Sequence, residues 1–430
     1  MSGAWMSGVS LEVRADAMDC LQVNLAALAD GAHGPGTHLR LGAPLRLRWH
    51  QGAGGLPSVE ASLDDHLDDA GQLLGLRVSR RWDGVPAAQA PAVVRPDGYT
   101  YVVADAFALP WTPYHAQRHM AHSFLVAPGG ARRERERDGY QVIDAYHNDT
   151  QWGQARPGSH HLTVAELVAA LHPAAQQILW IDPAPLPPPA PPAPARLDHA
   201  AIEAYLRPYR ETADQLAVLD HLALQSWLLL RSRRLHSAYL VAAGGCAQEA
   251  LAEHLAGWAG VAEQVYIALR RVQRGREAPA GVLERLARQL HADLDVFAAP
   301  AAAIALAARQ AAGAAGGEGS GGSGGSGGPS TADRRGVDPH WRPLAELVGG
   351  VLGVPADSLR ELASLEELPS CTSLRIVEIV ELLERRLGAV FSGDDLLPEK
   401  LHDIDHLLML VRRAGTAGAA APRERQELTR

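Results

Sequence analysis

Cysteine is scarce in this chain: three residues in 430, Cys20, Cys246 and Cys371, each far from the others. Such spacing excludes a disulfide framework and a CxxC-type zinc site, so each thiol has to be weighed singly, and it fits a reducing compartment. Basic surface is lacking too. The net charge is −9, and the densest cationic stretch, Arg132 to Arg137, interleaves arginine with glutamate, which builds no nucleic-acid face. No uninterrupted apolar run is long enough to span a bilayer, and the N-terminus carries acids by residue 16 without a basic segment leading into an apolar core. The expectation is a soluble, cytoplasmic protein that engages neither membrane nor nucleic acid.

What is present suffices for two or three cores, since 47% of the residues are hydrophobic and 21% charged. Two tracts divide the chain. Pro183 to Pro194 reads PAPLPPPAPPAP, a stiff extended spacer short of N–H donors. Gly316 to Pro329 reads GGEGSGGSGGSGGP, a coil whose ends typically stand about 20 Å apart. Its regular repeat reads as an engineered tether fusing two natural proteins, with a natural low-complexity linker as the alternative.

The expected organisation is therefore an α+β domain over 1–182, a Pro-rich linker over 183–197, a helical domain over 198–312, a Gly/Ser linker over 313–332, a small helical bundle over 333–416 and a disordered tail over 417–430. In the first domain, leucines 21, 25 and 28 predict a helix from Leu21 to Ala29, and Ser62 can cap another. Strand-like runs follow at Leu45 to Trp49, Leu76 to Val78, Tyr99 to Val103, Ser123 to Ala127 and Tyr140 to Ile143. Thr163 with Glu166 makes a capping-box pattern before a helix over Val164 to Leu171. In the second domain, apolar residues recur at helical spacing through Ile202–Leu240, Gln248–Val272 and Val282–Ala308.

A catalytic cysteine attacks as the thiolate, so it needs a lowered pKa, which a helix N-terminus and an imidazole both supply. Cys20 follows Asp19 at a helix start, where free backbone N–H groups would favour a negative sulfur and help to hold an oxyanion. His122 begins the apolar run Ser123 to Val126, and Asp144 ends the run Tyr140 to Ile143. A turn through Gly129 to Gly139 would pair the two as a hairpin and bring the carboxylate to the ring, giving a Cys/His/Asp relay. Read singly, Cys20 is a small buried hydrophobe, His122 a strand-edge polar residue and Asp144 a turn former. Asn148 is the reserve orienter. Cys246 is a rival nucleophile after Gly244 and Gly245, but no histidine strand and carboxylate follow it, so packing in the helical core is the better reading. The set His115, His119 and His122 has the spacing of metal ligands, yet Trp111-Thr112-Pro113-Tyr114 reads as a loop and no nearby Glu or Cys completes the set. No metal is expected, and His160-His161 read as a solvated loop pair.

The order of cysteine at a helix start, histidine strand and strand ending in Asp resembles papain-like peptidases, in particular the butirosin-biosynthesis type of cysteine acyltransferase, over roughly residues 12–310. The resemblance implies a papain-like domain followed by a helical one, with Cys20, His122 and Asp144 as the catalytic set and Cys20 taking an acyl group from a carrier-protein thioester and passing it to an amine. One departure stands out: papain-like enzymes commonly carry glutamine six residues before the cysteine, and here that position is Arg14, which leaves the oxyanion donor unassigned.

Residues 338–413 carry Leu365-Glu366-Glu367-Leu368, then Pro369-Ser370-Cys371-Thr372-Ser373-Leu374, then an amphipathic acidic helix from Arg375 to Glu384. This resembles an acyl or peptidyl carrier protein, an all-α four-helix bundle. It implies a 4'-phosphopantetheine arm on Ser373, installed by a phosphopantetheinyl transferase, and a carrier partner within the same chain. A helix N-terminus suits a phosphodiester, and the acidic helix offers a docking face. The residue before the serine is usually Asp in carriers and is Thr372 here; Asp357-Ser358-Leu359 lies too early to carry the arm. An N-cap hydroxyl is the ordinary reading of Ser373. The expected function is carrier-dependent acyl transfer to a small-molecule amine in natural-product (antibiotic) biosynthesis. The alternatives are a thioesterase, cyclase or cysteine peptidase with the same triad, or an inactive domain that only binds the carrier.

Overall fold

The computed structural model describes residues 9–45, 47–129, 139–189, 198–311, 338–368, 370–392 and 394–419. The chain groups into two compact units, one of Met1–Glu211, Leu224–Ala256 and Ala287–Ala314, the other of Thr212–Ala223, Gly257–Leu286 and Ala315–Arg430. Residues of the helical stretch contribute to both units.

Six strands carry the first unit: β1 (Leu76–Pro86), β2 (Thr100–Asp105), β3 (Ala121–Pro128), β4 (Gly139–Asp144), β5 (Gly158–Thr163) and β6 (Ala174–Pro183). They form one antiparallel sheet in the order β1-β6-β2-β3-β4-β5. Successive side chains point to opposite faces, and both faces are covered. Tyr101, Val103, Leu125, Ile143, Leu179 and Ile181 pack with helix α1 (Gln22–His33) and Leu63, Ala70 and Leu74 of α2 (Leu63–Leu74). Val102, Ala104, Phe124, Val126, Val142 and Ile178 pack with Leu167 of α3 (Val164–Ala170). Ser62 with Asp65 and Thr163 with Glu166 each close a reciprocal capping box at the head of α2 and α3.

Local differences from the sequence reading have physical causes. In the run Leu45 to Trp49 the described residues, 45 and 47–49, are not strand; a two-residue ladder of His50–Gln51 with Pro57–Ser58 follows, closed by the glycine turn at 52–55. His160 and His161 are strand rather than loop, opposite Val142 and Gln141, because the alternation in β5 needs only one half-buried face. The Pro-rich linker does not start free: Ala184 N–H donates to Gly75 O at 2.7 Å and Arg40 to Pro187 O at 2.6 Å, since a proline keeps its carbonyl acceptor. Its residues 190–197, the Gly/Ser linker and the tail beyond Ala419 lie outside the described residues. The tail's first residues, 417–419, belong to the last helix.

The helices between are α4 (His199–Glu211), α5 (Gln215–Ala242), α6 (Glu249–Gln273), α7 (Val282–Val296) and α8 (Ala298–Ala311). In the first unit, α5 crosses the Thr37–Gly42 turn so closely that a Cβ on Gly42 would lie 2.3 Å from Leu235 O. Arg233 and His254 both bind Asp293, an internal ion cluster with Arg233 fully buried. In the second unit, α9 (Trp341–Leu352), α10 (Ser373–Arg386) and α11 (Ile404–Ala419) close around Leu344, Val348, Leu365, Ile376, Leu383, Leu401 and Leu408. No helix of the described residues is long and apolar enough to cross a membrane.

Candidate active site

Three segments distant in sequence meet at one end of the sheet. Cys20 occupies the turn just ahead of α1, His122 the second position of β3, and Asp144 the last of β4. β3 and β4 pair as the expected hairpin, with Leu125 opposite Ile143 and Val126 opposite Val142, and residues 130–138 of its turn are outside the described set. All three side chains are buried, His122 at 0% and Asp144 at 5% exposure.

His122 Nε2 lies 2.7 Å from Asp144 Oδ2. The carboxylate is held on both oxygens: Tyr146 N–H donates to Oδ1 at 3.0 Å and Trp111 Nε1–H to Oδ2 at 3.1 Å. The Tyr146 ring meets the imidazole edge-on at 5.2 Å. Burial alone would lower the His122 pKa; the Asp144 charge and hydrogen bond reverse this and push it up to about 10. Burial would raise Asp144, and the imidazole, with the N–H donors, brings it below the usual carboxylate range.

With Nε2 engaged, Nδ1 is the nitrogen left for the sulfur, and it makes no hydrogen bond of standard geometry. The Cys20 thiol donates to Ala121 O at 3.5 Å and feels the ring electrostatically. Burial pushes the thiol up, and His122 opposes it.

The helix start behaves differently from the sequence reading. Asp19 Oδ1 accepts from the N–H groups of Leu21 at 2.9 Å and Gln22 at 2.8 Å, and Asp19 O accepts from Val23 at 3.1 Å. Those amides are therefore taken and do not serve the sulfur or an oxyanion. His66 Nε2 stands 3.0 Å from Asp19 Oδ2, an ion pair beside the thiol. Arg14, six residues before Cys20, turns to Asp16 at 3.1 Å with about half its side chain exposed.

Sequence reasoning missed the polar staples that fix this geometry. Asn24 donates to Ser123 O at 2.9 Å and to Ser123 Oγ at 3.1 Å, and accepts from Ala145 N–H at 3.0 Å; Ser123 Oγ donates to Cys20 O. One buried amide thus joins the segments bearing the sulfur, the imidazole and the carboxylate. Arg231 of α5 donates to Ala15 O at 2.7 Å, Met18 O and His147 O at 2.6 Å, clamping the stretch before Cys20 to the one after Asp144. It stacks on Trp227 at 4.0 Å. Asn24 lies one helical turn from Cys20, the only sequence signal that marks it; Arg231 has none.

Other expectations resolve locally. Asn148 binds Tyr114 OH at 3.0 Å and Trp227 Nε1 at 3.2 Å and does not orient His122. His119 pairs with Asp105 at 2.6 Å, and no set of three or more His, Cys, Asp or Glu among the described residues is arranged to hold a metal. Cys246 is half-buried in the loop between α5 and α6 rather than in the helical core, its pKa raised by burial. In the second unit Ser373 is the first residue of α10, and the capping role falls to Thr372, which accepts from Arg375 N–H at 3.4 Å. Ser358 Oγ donates to Pro355 O at 2.6 Å in a 3-10 turn.

No protein-family model matches the chain, and no curated protein matches it.

Proposed function

We propose that the protein is a cytoplasmic, papain-like cysteine acyltransferase that takes an acyl or aminoacyl group from a carrier-protein thioester through Cys20 and passes it to a small-molecule amine. The observation that carries this reading is the meeting of Cys20, His122 and Asp144, with the imidazole held by the carboxylate through Nε2 and its Nδ1 turned away from that bond.

In the forward reaction Cys20 Sγ attacks the thioester carbonyl. The sulfur attacks as the thiolate of a thiolate–imidazolium pair, and His122, which Asp144 keeps protonated, gives its proton to the departing thiol as the sulfur–carbon bond breaks, leaving an S-acyl Cys20 and a neutral imidazole. The amine then attacks that carbonyl, His122 takes its proton, and the Cys20 thiolate leaves. Asp144 holds the ring and stabilises the imidazolium. The amides of Leu21 and Gln22 are taken by Asp19, so the main-chain N–H of Cys20 would be the oxyanion donor.

Ser373 is the first residue of α10, where a helix N-terminus favours a phosphodiester. Ser373 would carry the phosphopantetheine, whose thiol supplies the thioester. The carrier resemblance of residues 338–413 supports this assignment.

Intact mass spectrometry of the acyl-loaded chain is the test. The reading requires the acyl mass on the peptide bearing Cys20, discharged by an amine and not by water. Discharge by water selects a thioesterase; no transfer to Cys20, or normal product from Cys20→Ala, removes the proposal.

A further inference from the structure

Within the second unit, the C-terminal stretch of α6 packs against α10. Ile267, 2% exposed, is part of the bundle's core beside Val377 and Val380, with Tyr266 half-buried against it. Around this apolar centre two glutamates are each held by two arginines. Arg270 Nε meets Glu381 at 3.3 Å and Arg274 binds the same carboxylate; Arg271 meets Glu384 at 3.0 Å and Arg276 binds that one as well. Val377, Val380, Glu381 and Glu384 form one stripe of α10 at spacings of three and four. The carboxylates are 17% and 8% exposed, more secluded than an ordinary surface pair. At the rim, Arg285 meets Glu399 at 3.2 Å, and His402 meets Glu263 at 3.1 Å and Glu366 at 3.3 Å.

We propose that Ile267, Arg270, Arg271, Arg274 and Arg276 are a recognition surface for carrier domains, read through Glu381 and Glu384 on the helix that follows the modified serine, and that it also takes a carrier supplied as a separate chain. This rests on the carrier reading above. The argument is complementarity: an apolar anchor at the centre, paired charges around it, and two arginines to each glutamate, so neither cationic nor acidic face is balanced alone. The tether in the sequence raises the local concentration of the partner but adds no contact of its own.

The test uses the whole chain with a protease site inserted in the Gly/Ser tract and cut after folding. The two pieces should co-elute in low salt, separate in high salt and re-associate when the salt is diluted. Arg270→Glu with Arg271→Glu should weaken association about a hundredfold. Adding Glu381→Arg and Glu384→Arg should restore it, which also shows that the first variant had folded. Separation of the unaltered pieces in low salt, or association indifferent to the reversed charges, overturns the proposal. Mass analysis of Ser373 keeps the two readings apart: a charge-dependent complex whose Ser373 a phosphopantetheinyl transferase does not modify upholds the surface and removes the carrier chemistry.

Discussion

His122 and His402 are both pushed up to about 10 against the effect of burial, His122 by Asp144 and His402 by Cys371 and then Glu263, and their surroundings differ. Asp144, the partner of His122, is buried, and its oxygens are also held by Tyr146 and Trp111. His402 faces Glu263, which is secluded, but also Glu366, which is 66% exposed, and the half-buried Cys371. One pairing is sealed and orients a ring; the other lies at the edge of a contact between helices. The lesson is that a pair sealed on both sides is out of reach of salt and fixes geometry, whereas a pair with one exposed partner stays open to screening.

The comparison breaks most severely at the sulfur. Cys20→Ala should abolish acyl capture outright, read by mass spectrometry. Asp144→Asn should lower turnover about a thousandfold by freeing the ring. That loss should be the same in low and high salt, measured with a small-molecule thioester. With a separate acyl-carrier as donor, salt should instead raise the apparent KM several-fold in the unaltered protein, while small thioester turnover stays level.

Stability separates the two regions next. Asn24→Ala strands the buried Ala145 N–H and should cost about 1–3 kcal/mol in denaturant unfolding. Gly42→Ala forces a methyl against Leu235 O and should cost a similar amount, about 1–3 kcal/mol. The smallest effect concerns pH. A histidine raised from 6.5 to about 10 in the folded state gives stabilisation that is full below 6.5 and lost as pH climbs through about 10. The melting temperature should therefore fall across that window. Glu263→Gln should flatten the share due to His402, and Asp144→Asn the share due to His122.

Much of the candidate site was legible because its signals are local. A cysteine beside a helix start, a histidine opening one apolar strand and an aspartate closing the next imply a hairpin, and the pairing of β3 with β4 follows that pattern. Thr163 and Glu166 likewise announce α3. What escaped depends on distant partners. β6 inserts between β1 and β2, and its run abuts the prolines, so local pattern says little about its place. Asp19 was read as a neighbour of the nucleophile rather than as the cap that occupies the amides of Leu21 and Gln22. Asn24 and Arg231 are polar residues on helices, and nothing in their spacing tells that each ties the nucleophile's neighbourhood to other segments.

Arg231 sets a limit on modularity. Because a guanidinium from α5 satisfies the carbonyls of Ala15, Met18 and His147, a chain ended at residue 182 would leave these acceptors without it. The α5 segment and the sheet must therefore be inherited together, and exchanging that segment between homologous proteins preserves the setting of Cys20 only where the arginine travels with it.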